Sequence, residues 1–110
     1  MLKKENRLGK VKLIRPYNFN TSLFSLKTAK NNLGINRFAF VVGKKIDKRS
    51  TVRNSLRRKV RSCIEEIFDK IEKGRDFVFY PNPKSIEAER NDILFEITIL
   101  FKKQGFIKND

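Results

Sequence analysis

Residues 37–81 read RFAFVVGKKIDKRSTVRNSLRRKVRSCIEEIFDKIEKGRDFVFYP, and the fold turns on them. From Arg37 to Lys45, Phe38, Phe40 and Val42 alternate with Ala39 and Val41. Both faces of that stretch are apolar, which predicts a central strand. Ile46 to Thr51 is a short polar connection, and a hydroxyl at Ser50 or Thr51 is suited to cap a helix by accepting from a free backbone N–H. A helix is expected from there to about Lys73. At about 100° per residue, most of Val52, Leu56, Val60, Cys63, Ile64, Ile67, Phe68 and Ile71 fall on one broad stripe. Gly74 suits the left-handed position just past a helix end. Arg75 to Tyr80 is a further strand, with Phe77 and Phe79 opposite Val78 and Tyr80, and Pro81 and Pro83 end it.

The flanks fit around this unit. Leu23 to Lys27 reads as a strand, followed by turn residues Asn31-Asn32-Leu33-Gly34. Joined to the Arg37 strand, it is expected to make a hairpin. A last helix starts between Ser85 and Asn91, buries Ile93, Ile97, Leu100 and Phe101, and fades near Gly105. Residues 1–16 carry six cations (Lys3, Lys4, Arg7, Lys10, Lys12, Arg15) against Glu5, and read as a basic N-terminal arm ending near Pro16. The expected organisation is that arm plus one domain over residues 17–110. Its class is α+β, a small two-layer α/β sandwich with helices packed on one mainly antiparallel sheet.

Composition removes most protein-based chemistry. The chain of 110 residues has no histidine and one cysteine, Cys63. Serine and cysteine triads, the commonest general base and most zinc sites are therefore absent. The five glycines are scattered, so no phosphate loop forms. The carboxylates form no convincing converging set for two metal ions. One cysteine permits no intramolecular disulfide, and with no apolar run near the roughly 18 residues of a membrane span, a cytoplasmic location is expected.

The net charge of +14 exceeds what solubility requires and points to a polyanionic partner. More than half of it sits between Lys44 and Arg61, where nine cations face one acid, Asp47, a net +8 over 18 residues. A helix amino end already carries partial positive charge, so arginines there work against the isolated helix. Exposed N–H groups and arginine forks together make a phosphate-binding surface. Asn54, Arg57, Arg58 and Arg61 project onto one arc beside the apolar stripe, and Arg53 onto its edge. A solvated face of i,i+4 ion pairs would need acids, and this half of the helix has none. Arg57→Ala with Arg61→Ala is expected to weaken binding of that polyanion and leave the fold nearly intact.

The run Phe38-Ala-Phe-Val-Val-Gly-Lys-Lys-Ile46, followed by Lys48-Arg-Ser-Thr-Val-Arg-Asn-Ser-Leu-Arg-Arg-Lys-Val-Arg61, resembles the signature of the bacterial ribonuclease P protein family. Lys4-Glu-Asn-Arg-Leu8 looks like that family's opening, Asp76-Phe-Val-Phe-Tyr-Pro its strand after the helix, and Leu100-Phe-Lys-Lys103 the end of its late helix. The resemblance implies a left-handed β-α-β crossover, an exception to the usual handedness. It implies a protein subunit that binds a large catalytic RNA and the 5′ leader of precursor tRNA. The complex would cut that leader with magnesium held mainly by RNA, and no obligate protein partner is evident. Carried over, Lys44, Lys45, Arg49, Arg53, Asn54, Arg57, Arg58, Lys59 and Arg61 would contact the catalytic RNA. Tyr17, Phe19 and Phe24 would be candidates for the leader.

Two departures stand out. Ser55 replaces the second arginine of the family's Arg-Asn-Arg motif, and Arg49 or Lys59 could compensate. The segment between Leu8 and Leu23 is shorter than usual, and Pro16 disfavours the helix the family has there. The rival readings are a ribosomal or other structural RNA-binding protein with no role in cleavage, a stand-alone nuclease, and a DNA-binding domain. The last lacks the partner helix of a helix-turn-helix pair.

Overall fold

The structure, a computed structural model, describes residues 2–9 and 13–108. Four strands, β1 (Tyr17–Asn20), β2 (Phe24–Lys30), β3 (Arg37–Phe40) and β4 (Arg75–Pro81), form one sheet in the order β1-β2-β4-β3. The α-helices among the described residues are α1 (Ser50–Ile67), the single turn α2 (Lys84–Glu87), and α3 (Arg90–Lys103). The α+β sandwich expected from sequence is present. β1 and β2 pair antiparallel, as do β2 and β4, while β3 and β4 run parallel, joined through α1.

The expected hairpin between the second and third strands does not form. β4 inserts between them, pairing Leu26 with Phe79 on one side and Phe40 with the same Phe79 on the other. The reason is burial. Phe77, Val78 and Phe79 are all buried, the longest such apolar run in the sheet, and β4 takes the centre, flanked by a strand on each side. β3, expected to be central, is an edge strand, and Val41, just past its end, is 45% exposed. Its free edge is closed by the N-terminal segment. Arg7 bridges to Phe38 in parallel fashion, and the Leu8 N–H donates to the Phe38 carbonyl at 2.8 Å. Covering an edge this way removes a template for unwanted pairing. Leu2, Asn6 and Leu8 are buried, so residues 2–8, read as part of a basic arm, lie against the domain; Lys10 and Lys12 lie outside the described residues.

The core lies between the sheet and α1 and α3. Phe24, Leu26 and Thr28 of β2, Phe77 and Phe79 of β4 and Phe38 of β3 all point there. Phe38 stacks on Phe77 at 5.2 Å between centroids, and Phe77 on Phe101 of α3 at the same separation. From α1 come Leu56, Val60, Cys63, Ile64 and Ile67, the stripe read from sequence. Neither Ser50 nor Thr51 caps α1; Arg49 holds the cap position and no side chain bonds there. α1 also ends earlier than expected. A 3-10 turn, Phe68–Lys70, breaks it, and Ile71 leaves to bridge Ile107. Gly74 is left-handed (φ 104°) but serves the turn into β4, where its carbonyl accepts from Asn31 N–H at 2.9 Å. Gly105 (φ 78°) does close a helix. Its N–H bonds to the Lys102 carbonyl and that of Phe106 to Phe101, the Schellman pattern that ends α3.

Two acids tie elements together. Glu66 pairs with Arg90 at 3.0 Å, joining α1 to α3, and Glu96 accepts from the Leu23 N–H.

Candidate nucleic-acid interface

The basic surface is built where β3 runs out and α1 begins. Arg57 donates from Nη1 to the Val42 carbonyl at 3.2 Å, pinning the helix to the end of β3. Its other nitrogen, Nη2, bonds to Asn54 Oδ1, one helical turn back. Lys44 and Lys45 follow two and three residues after the Val42 carbonyl that Arg57 engages. Arg53 donates to the carbonyls of Asp47 (3.1 Å) and Lys48 (2.8 Å), folding the connection over the start of α1. Asp47 in turn accepts from the backbone and side chain of Arg49. Those hydrogen bonds, side chain first, hold the Asp47 carboxyl down to about 2, so the one acid here stays paired and ionised.

The nine sequence-chosen residues thus separate by what their heads touch. Lys44, Lys45 and Arg58 are exposed, and no hydrogen bond or ion pair engages their side chains among the described residues. Arg57 and Arg61 are half-buried, and the Arg61 guanidinium lies 5.6 Å from the Phe40 ring centroid. The expectation that removing both leaves the fold nearly intact took both as exposed; instead both are half-buried, Arg57 on the Val42 carbonyl and Arg61 against Phe40. Lys59 sits on the other flank. Its Nζ donates to the carbonyls of Ser85 (3.1 Å), Ile86 (3.0 Å) and Ala88 (2.8 Å), capping the single turn of α2. Ser55 faces that same flank, in a groove with Thr51, Lys59 and Ile86. Lys59→Met should lower stability by about 2 kcal/mol, the scale of lost bonds to a charged donor, while RNA affinity changes less than threefold. Paired denaturant melts and RNA titrations of the two proteins measure both.

The aromatic candidates also divide. Phe24 is 2% exposed and packs on Phe79 at 5.4 Å, so it cannot stack a base. Strand parity explains this, because Phe24 shares the helix side of β2 with Leu26 and Thr28. Phe19 pairs with Leu26 and Tyr17 with Thr28, which puts both on the helix side as well. Phe19 is half-buried against Phe106, while Tyr17 is 67% exposed at the sheet margin. The sheet face away from the helices carries an aromatic not assigned from sequence, Tyr80, with Lys27 Nζ 5.7 Å from its ring centroid. The alternation in β4 held the signal for Tyr80, whereas nothing in sequence indicated that Lys27 crosses to it.

The fold and this patch define a small α+β sandwich that gathers cations along one helix. Among the described residues, no three His, Cys, Asp or Glu side chains form a metal-holding group, and no helix is long and apolar enough to cross a membrane. The family model described as Ribonuclease P matches residues 2–105. The ribonuclease P protein component of Clostridium botulinum is 32% identical over 93% of this chain and 96% of its own length. That of a Synechocystis strain is 35% identical over 64% of this chain, and the match spans 57% of that relative's length. The solved ribonuclease P protein of Thermotoga maritima superimposes with a TM-score of 0.73 over 86% of each chain at 24% identity, a likeness of fold. The chain belongs to the ribonuclease P protein family.

Proposed function

We propose that this protein is the protein subunit of a ribonucleoprotein endoribonuclease that removes the 5′ leader from precursor tRNA. The observation that carries this reading is the set of free cations, Lys44, Lys45 and Arg58, grouped around arginines fixed at the end of β3. Such a surface neutralises phosphates and holds a duplex or folded RNA in register, and supplies no general base. In this reading the catalytic RNA lies along the amino half of α1, and the reaction centre is on the RNA, where magnesium is mainly held. The protein then acts by charge and position. The leader runs over the open sheet face, where Tyr80 and Lys27 offer a stacking ring and a cation. Tyr17 and Phe19 face the other way and are not placed on that path.

The test is cleavage of 5′-labelled precursor tRNA at low magnesium by a bacterial ribonuclease P RNA alone, this protein alone, and both together. Efficient cutting at the mature 5′ end by the mixture only is the expected result. Cutting by the protein alone, or a mixture no better than RNA alone despite tight binding, would overturn it; the latter is what a purely structural RNA-binding protein would give.

A further inference from the structure

A second basic and aromatic site lies at the opposite corner of the sheet from the α1 patch. It is a cavity of about 440 Å³ walled by Arg15, Tyr17, Phe19, Lys30, Arg75 and Phe106, with no carboxylate in its lining. The strand register fixes its place. Tyr17 opens β1 on the outer edge, Lys30 closes β2 and Arg75 opens β4, whereas the α1 patch adjoins Val42 at the far end of β3. Its floor is apolar, made by the edge-to-face pair Phe19 and Phe106 with centroids 6.1 Å apart. The Arg75 guanidinium stacks 4.7 Å from the centroid of Phe106, which fixes its plane. Arg75 Nη1 is shielded from solvent and has no hydrogen-bond partner among the described residues. A buried donor without an acceptor is costly, and the natural acceptor for a guanidinium is an anionic oxygen. Arg15 reaches the wall through a left-handed backbone (φ 49°), and Lys30 adds a third cation. Tyr17, 67% exposed, presents a ring beside these charges.

We propose that this corner is a nucleotide-binding pocket. It takes a phosphate on Arg75, Lys30 and Arg15 and stacks the attached base on Tyr17. The volume is that of small-ligand sites, and one exposed aromatic beside a cation group is how unpaired nucleotides are held. The proposal goes beyond the ribonuclease P reading and does not rest on it. Two sources share this chemistry, an unpaired nucleotide within an RNA strand and a free mononucleotide.

The experiment is an amide chemical-shift titration of the full chain at low salt with adenosine 5′-monophosphate, a five-residue oligoadenylate, and inorganic phosphate. The expected result is saturable shifts at Arg15, Tyr17, Lys30 and Arg75, with phosphate at least tenfold weaker. Tyr17→Ala and Arg75→Gln should each weaken binding about tenfold. Lys30→Gln, on an exposed strand end, gives the same readout should Arg75→Gln fail to fold. Binding of both the mononucleotide and the oligomer makes a free nucleotide a competent source, and binding of the oligomer alone assigns the pocket to an RNA strand. Shifts confined to residues 44–61, no shifts, or phosphate binding as tightly as the mononucleotide would overturn the proposal.

Discussion

Asp76→Ala is expected to destabilise the protein by about 3 kcal/mol, the lower end of the cost of stripping one partner from a buried ion pair. Asp76 is 4% exposed and receives two bonds from Arg37, Nε to Oδ1 at 2.8 Å and Nη2 to Oδ2 at 2.7 Å. Asn31 donates a third, at 2.9 Å, and also bonds the Ile35 carbonyl. The lower end applies because the Arg37 side chain keeps 27% of its surface in water. The damage should travel. Asn36, within the turn that Asn31 braces, accepts the Asn6 amide on its carbonyl at 2.9 Å, and Asn6 precedes the segment that closes the edge of β3. Faster hydrogen exchange at Leu8 is therefore expected together with a melting midpoint lowered by roughly 12 °C.

The same carboxylate sets a pH dependence. Burial pushes its pKa up, but the hydrogen bonds from Arg37 and Asn31 and the Arg37 charge outweigh this and leave it lowered. A lowered acid contributes its full stability above its unfolded value, about 3.9, and loses it as pH falls through the folded value. The gap between wild type and Asp76→Ala should be constant near neutrality and close in acid. A gap that widened in acid would show that the pair is not what Asp76 contributes.

Replacing Lys44, Lys45 and Arg58 together by glutamine should reduce affinity for a bacterial ribonuclease P RNA, the partner proposed above, about a hundredfold at low salt and flatten the slope of log affinity against log salt by about three. Three phosphates lose their cations, and no internal bond is lost with them. Stability should stay within about 0.5 kcal/mol per site, as for other exposed positions. Filter binding across a salt series, with a melt of the same preparation, reads all three quantities. An unchanged salt slope in a folded triple variant would move the RNA contact elsewhere. Arg57 and Arg61 are poorer choices for this test, since the Val42 bond and the Phe40 contact are lost with them.

Helix α1 was legible because its stripe repeats over five turns and its charges cluster on one side. Sheet order was not. β3 and β4 both read as apolar on two faces, and only the three-dimensional fit of Phe77 and Phe79 among Phe24, Phe38, Phe40 and Phe101 decides which is central. β1 escaped notice because Tyr17-Asn18-Phe19-Asn20 alternates for only four residues, too few for a period-two signal to stand out. Within the site, position along the helix placed Asn54, Arg57, Arg58 and Arg61 on one flank. Lys59 carried the same charge, but the carbonyls of residues 85–88 that engage it are 26 or more residues away, beyond the reach of local pattern. Phe24 was misjudged for a related reason, since an aromatic in a short strand gives no sign of which face is covered.

The central place of β4 also dictates an order of assembly. β2 and β3 are near neighbours in the chain, yet neither can complete its pairing until residues 75–81 arrive between them. During synthesis, a nascent chain extended only through α1 would hold β2 paired with β1 on one edge and β3 bridged by Arg7 on one edge, with the facing edges of both strands open. The parallel pair must then form across the whole of α1, a long loop to close and a contribution to slow, non-local folding. In that interval the cations between Lys44 and Arg61 would be the chain's main protection against association, so the same charges would serve as a solubilising tag before the sheet closes and as an RNA surface afterwards.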